Sequence, residues 1–164
     1  MSDASAMRWP DHYHPHNTAV HVRNEIDIAA APEIVWAWLI RAERWPQWYV
    51  NSANVRFIED NPPDLALGTR FKWKTFGVGI DSTVQEFVPG ERIAWNGKSF
   101  GIDVYHAWLI VKTPQGCKVI TEESQRGFMT RLSVLVFPKR MWKFHQIWLA
   151  GLRDRAEAGT PPST

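Results

Sequence analysis

A carboxylate and an imidazole that share an apolar surrounding can move a proton to or from a bound molecule. Two stretches carry such side chains among hydrophobic neighbours: "YHAWLIVK", with His106, and "CKVITEESQRG", with Glu123. If both face one interior, Glu123 and His106 are the catalytic pair for an aldol-type cyclisation, a dehydration or the enolisation of a carbonyl compound. The alternative is that they only satisfy each other, or that one faces water, because buried polar groups are usually paired for structural reasons. His145 is a lone histidine on an apolar helical face and reads as a core or rim residue. Cys117 follows a turn glycine and is not expected to be a nucleophile. Asp81, after Gly77 and Gly79, reads as surface. "HPH" at 14–16 invites a metal, but ligands need a shaped site with outer partners. No Cys/His metal spacing, phosphate-binding glycine loop or nucleophile elbow occurs. The sequence therefore leads us to expect no metal and no cofactor.

The chain that must position these groups has 164 residues, enough for one domain with a core of its own. Its formal charge is +2, from 19 basic and 17 acidic residues. The basic residues are scattered, and the densest patch, "PKRMWK", is short, so a nucleic-acid partner is not expected. A single cysteine fits a reducing compartment. No apolar run reaches membrane-spanning length, and a soluble, cytoplasmic protein is expected. The aromatic load is the anomaly: ten Trp and eight Phe against three Tyr. Such flat apolar surface either fills a core or lines a cavity.

Residues 1–18 are polar, with Pro10, Pro15 and three histidines, and read as a flexible arm. Residues 19–30, "AVHVRNEIDIAA", alternate as a half-buried strand. Ala31-Pro32-Glu33 then opens a helix that runs to about residue 44, because Pro loses no needed N–H there and Glu33 suits the positive end of the dipole. Trp36 and Trp38 lie about 200° apart on it, so they meet different neighbours. Pro46 breaks the run, and "WPQWY" makes a second short turn, with Trp45 and Trp48 beyond the first helix. Residues 52–127 read as strands joined by turns, with Phe71 and Trp73 opposite Arg70, Lys72 and Lys74. After Phe128 the period changes. Pro138 can start a long helix whose apolar face holds Met141, Phe144, His145, Trp148 and Leu152. The tail 159–164 follows.

Three stretches together resemble one family. "EIDIAAAPEIVWAWLIRAERWPQWY", "TVQEFVPGERIAW" and "YHAWLIVKTPQGCKVITEESQRG", with "WLAGLRDRAEA" near the end, are similar to the SRPBCC (START-like, helix-grip) superfamily. Its bacterial polyketide cyclase/dehydrase-type members are nearest. The resemblance spans residues 19–158. It implies an α+β helix-grip fold: a curved antiparallel sheet of about seven strands around a long C-terminal helix, with two short helices after the first strand. It also implies a cavity for a small apolar, aromatic, polyketide-like or lipid-like ligand. No catalytic set runs through the superfamily, and a cyclase, a ligand carrier or sensor, and an interaction module with a filled cavity all remain open.

The family's hairpin places the Trp108 face inward, which turns His106 inward with it. Val119 and Glu123 are expected to share that interior. The expected lining is then Phe71, Trp73, Ser82, Glu86, Trp95 and Trp108, roofed by Trp148 and Phe144, with Trp48 at the mouth.

Overall fold

The computed structural model describes residues 6–59 and 63–162. The first five residues of the arm, residues 60–62 at the start of the "NPPDLALG" loop and the last two residues of the tail lie outside that range. Seven strands form one antiparallel sheet in the order β1-β7-β6-β5-β4-β3-β2. They are β1 (Val20–Ile28), β2 (Ala53–Phe57), β3 (Arg70–Thr75), β4 (Val78–Val88), β5 (Arg92–Ser99), β6 (Ile102–Thr113) and β7 (Gly116–Arg126). Helix α1 (Pro32–Ile40) and a 3₁₀ turn (Ala42–Gln47) follow β1. Helices α2 (Phe128–Val136) and α3 (Arg140–Ala158) follow β7. This is the helix-grip arrangement, with α3 packed on β1 and α1 and its Trp148, Leu149 and Leu152 in the core.

Period-two alternation explains the sheet. The inward face carries Ile93 and Trp95 on β5, Trp108 and Ile110 on β6, and Val119 on β7, with Ser82, His106 and Glu123 the polar exceptions the site uses. The β3–β4 turn places Phe76 at φ 53° and Gly77 at φ 78°, the left-handed pair a two-residue hairpin favours. One irregularity matters for the site. Val84 pairs with Trp95 but Glu86 pairs with Ala94, so Gln85 is an extra residue that makes a β-bulge. Beyond it the parity of β4 inverts, and Phe87 rather than Glu86 packs on the core.

Two elements differ from the sequence reading. Phe128–Val136 forms a helix of its own that the sequence reading did not give, and the long helix begins at Arg140, just after Pro138, as expected. The described part of the arm, read as loose, lies against the outer face of the sheet. Tyr13 is buried there with Ala94, Tyr105 and Ala107, and Met7 and Trp9 pack beside them. Its hydroxyl donates to Asp103 at 2.7 Å, and its ring stacks on Tyr105 at 5.2 Å. The middle of the sheet is thus covered on both faces, because Tyr105 and Ala107 give the outer side an apolar patch.

Candidate functional site

The interior between sheet and α3 has two halves. One is solid. Trp45, Phe71, Trp73, Trp95, Trp108 and Trp148 interlock there, with Trp45 ring centroids 5.1 to 5.9 Å from Phe71, Trp73, Trp95 and Trp148. Tyr49 stacks flat on Trp148 at 4.4 Å. The other half is a cavity of about 590 Å³ under α2, within the usual range for small-molecule sites. The aromatic cluster is its inner wall.

Of the expected lining, Trp73, Ser82, Trp95, His106, Glu123 and Trp148 face this cavity. The other five do not. Phe71 and Trp108 point inward but lie behind the wall, in the solid half. Glu86 is on the outer face, turned there by the bulge at Gln85, where it binds Arg92 at 3.0 Å. Phe144 packs edge-on against Phe76 at 5.3 Å. Trp48 is not at the mouth: it lies over α3, so close to Gly151 that a Cβ there would meet the Trp48 carbonyl oxygen at 2.6 Å. Trp45, read with it as a mouth residue, is wholly buried, its indole N–H donating to the Leu39 carbonyl at 3.0 Å. Trp36 meets Phe87, and Trp38 donates to the Gly159 carbonyl, so that pair does part company.

Glu123 lies at the base of the cavity, and α3 supplies a group the sequence reading left as a core or rim residue. Oε2 of Glu123 is 3.0 Å from His106 Nδ1 and 3.2 Å from His145 Nε2. Oε1 accepts from Gln125. The two imidazoles stack at 4.8 Å. All three side chains are buried. His106 Nε2 is 2.7 Å from the Thr121 hydroxyl, which itself donates to the Ala107 carbonyl. His145 Nδ1 and the Trp148 indole N–H have no partner among the described residues. A sequence signal for His145 existed: it stands three residues before Trp148 on the stripe that packs on the sheet.

Burial opposes charge on the Glu123 carboxyl, but the His106 charge and hydrogen bonds from both imidazoles outweigh it and hold the group far below the ordinary carboxylate value. Burial pulls His106 below the usual imidazole value, against the pull of Glu123. The centre can therefore present an anion and a proton-carrying ring to one end of a bound molecule. His106, Glu123 and His145 also have the donor atoms to hold a metal ion, all within 4.8 Å of one another. Sequence spacing could not show this, because the three come from β6, β7 and α3.

A family model described as polyketide cyclase / dehydrase and lipid transport matches residues 19–157. The chain belongs to this family. Among solved structures, a hypothetical protein of Helicobacter pylori is 32% identical, with a TM-score of 0.87 and coverage of 95% of this chain and 99% of the other. The di-domain ARO/CYC StfQ from the steffimycin biosynthetic pathway shares the fold at 16% identity and TM-score 0.71, over 90% of this chain and 54% of its own. A Thermus thermophilus protein does so at 18% and 0.69, over 85% of this chain and 98% of its own. No curated protein matches. Among the described residues, no helix of this family member is long and apolar enough to cross a membrane.

Proposed function

We propose that the protein binds a small apolar molecule, aromatic, polyketide-like or lipid-like, in the cavity under α2, with a carbonyl or hydroxyl of that molecule at Glu123 and His106. The observation that carries this reading is the pairing of an open 590 Å³ space with a buried polar centre at its base. Trp73, Trp95 and Trp148 supply flat walls, which suit a ring system. A cavity filled by tryptophan, as in a pure interaction module, is disfavoured because the indoles occupy only the inner half.

The finer reading is catalytic. Glu123 takes a proton from the carbon beside a ligand carbonyl, and His106 delivers one to the oxygen, as a cyclisation followed by dehydration requires. The apolar walls fold the chain and exclude water. The runner-up is a carrier that uses the same contacts without turnover. The comparison with a di-domain ARO/CYC supports the fold and is silent on which of these applies.

Native mass spectrometry of the protein purified from its own cells, looking for a co-purified small molecule, tests binding. Titration with an environment-sensitive naphthalene dye tests the cavity, and Ile80→Trp, which fills it, should abolish the signal. A wild-type protein that captures neither molecule refutes the binding reading. His106→Ala and Glu123→Gln should stop turnover of an aromatic polyketone substrate while dye binding persists. Turnover unchanged in both variants rules out the catalytic reading and leaves the carrier.

A further inference from the structure

The geometry points to a metal site: we infer that His106 Nδ1, Glu123 Oε2 and His145 Nε2 bind one Zn²⁺ ion, with the cavity as the open fourth position. The inference rests on these three side chains alone; an ion held there occupies Glu123 and His106 and so takes the place of their direct proton transfer in the catalytic reading. The hydrogen-bond pattern singles them out. The Thr121 hydroxyl, 2.7 Å from His106 Nε2, holds the far side of that ring. His106 Nδ1 lies 3.0 Å from Glu123 Oε2, bridged by a proton that a metal ion would displace. His145 Nε2 approaches the same oxygen at 3.2 Å, and no Lys or Arg among the described residues pairs with Glu123. The two imidazole–carboxylate distances are close to the about 3.3 Å that tetrahedral zinc at about 2.0 Å requires, and the three donor atoms lie within 4.8 Å of one another, so the imidazoles draw together as the ion binds. Two imidazoles and one carboxylate form a ligand set zinc accepts, and Thr121 is the outer partner that fixes the ring of His106.

The full-length protein, stripped with a chelator, should bind one Zn²⁺ per chain by calorimetry. Co²⁺ in its place should give visible ligand-field absorption. His145→Ala and Glu123→Gln should weaken binding by at least about tenfold, with near-ultraviolet circular dichroism checking that each is folded. A variant lacking His12, His14 and His16 should bind as the wild type does. Failure to bind one ion per chain, or binding that vanishes with the arm histidines instead, overturns the site.

A second observation stands independently. On α2 the residues Phe128, Leu132, Leu135 and Val136 share one helical face, and all are exposed, Leu135 at 81%. Phe137 and Trp142, next along the chain from that face, are exposed as well. Arg131, Lys139, Arg140 and Lys143 stand exposed around it, and between Glu123 and Asp154 the sequence has no acidic residue. An apolar stripe turned outward, ringed by cations and bearing a tryptophan, matches the surface of an anionic bilayer. We propose that α2 docks on anionic phospholipid, which places the mouth of the cavity at the lipid surface. Leu132 and Phe137 belong to both.

In sedimentation with vesicles, the full-length protein should bind phosphatidylcholine containing phosphatidylglycerol and not phosphatidylcholine alone. Lys139→Gln and Lys143→Gln should each weaken binding by about fivefold, and Leu135→Asp should abolish it. Absence of binding, indifference to phosphatidylglycerol, or a solution dimer that Leu135→Asp splits overturns the proposal.

Discussion

Trp45 is the residue whose replacement separates a wall from a plug. It is wholly buried and touches four other aromatic rings, and its N–H satisfies the Leu39 carbonyl in the last turn of α1. Truncating a buried tryptophan to alanine costs about 3–5 kcal/mol through lost transfer energy and the cavity left behind. The orphaned carbonyl adds about 1 kcal/mol. A total of about 4–6 kcal/mol corresponds to a fall in Tm of roughly 10–20 °C at this chain length. That is a large part of the about 5–15 kcal/mol a domain has, so Trp45→Phe is the companion variant. It keeps one ring, loses the N–H donor, and should fall about 1–3 kcal/mol below wild type. Trp48→Ala, at a partly exposed position with no hydrogen-bond partner for its N–H, should lose about 1–2 kcal/mol. Urea denaturation followed by far-ultraviolet circular dichroism measures all three. If Trp45→Ala lies within about 1 kcal/mol of wild type, or if Trp48→Ala is the worse of the two, the account of the solid half is wrong.

Three further outcomes are expected. Ser82→Ala leaves the Trp73 indole N–H, now bonded to Ser82 at 3.1 Å, unpaired in a buried place, and should destabilise by about 1–3 kcal/mol in the same urea assay. Burial pushes the Asp103 carboxyl up, but hydrogen bonds from Tyr13 and His12 outweigh this and pull it below its ordinary value. The arm contact is therefore complete above the ordinary carboxylate range and is lost as pH falls through the lowered value. The protection factors of residues 6–18 in hydrogen exchange, taken against the intrinsic rate at each pH, should fall there, and Asp103→Asn should lower them at neutral pH. Burial first, then the charges of Glu33 and Asp27, push the Cys117 thiol up to about 11. Ellman's reagent should thus react with it only as fast as the chain opens, and a rapid reaction in native buffer would contradict its buried position.

Local pattern carried most of the fold. The strand parity of β3 and β5, the proline that opens α1 and the apolar stripe of α3 are properties of neighbouring residues, and the sequence displays them; β6 is apolar on both faces, so its parity came from the family resemblance and that of β7 with it. What it hid were relations between distant residues. Period two carried Ser82 and Val84 on to Glu86, and one bulged residue undid it. Nothing near Trp45 and Trp48 says which enters the core, because the choice depends on where β3, β5 and α3 leave room. His145 looked solitary along the chain since its partners are 22 and 39 residues away in sequence. The arm looked loose because the patch that Tyr13 covers belongs to β5 and β6.

The packed tryptophans have an optical consequence. Trp45, Trp73, Trp95, Trp108 and Trp148 form one chain of indoles with centroids 5.0 to 6.4 Å apart between touching rings. At such separations their electronic transitions couple and excitation passes freely among them. The molecule therefore has a built-in antenna, and three of its five members form the cavity wall. Anything that enters the cavity will change the near-ultraviolet spectrum of the whole cluster. Occupancy can be read from the unlabelled protein.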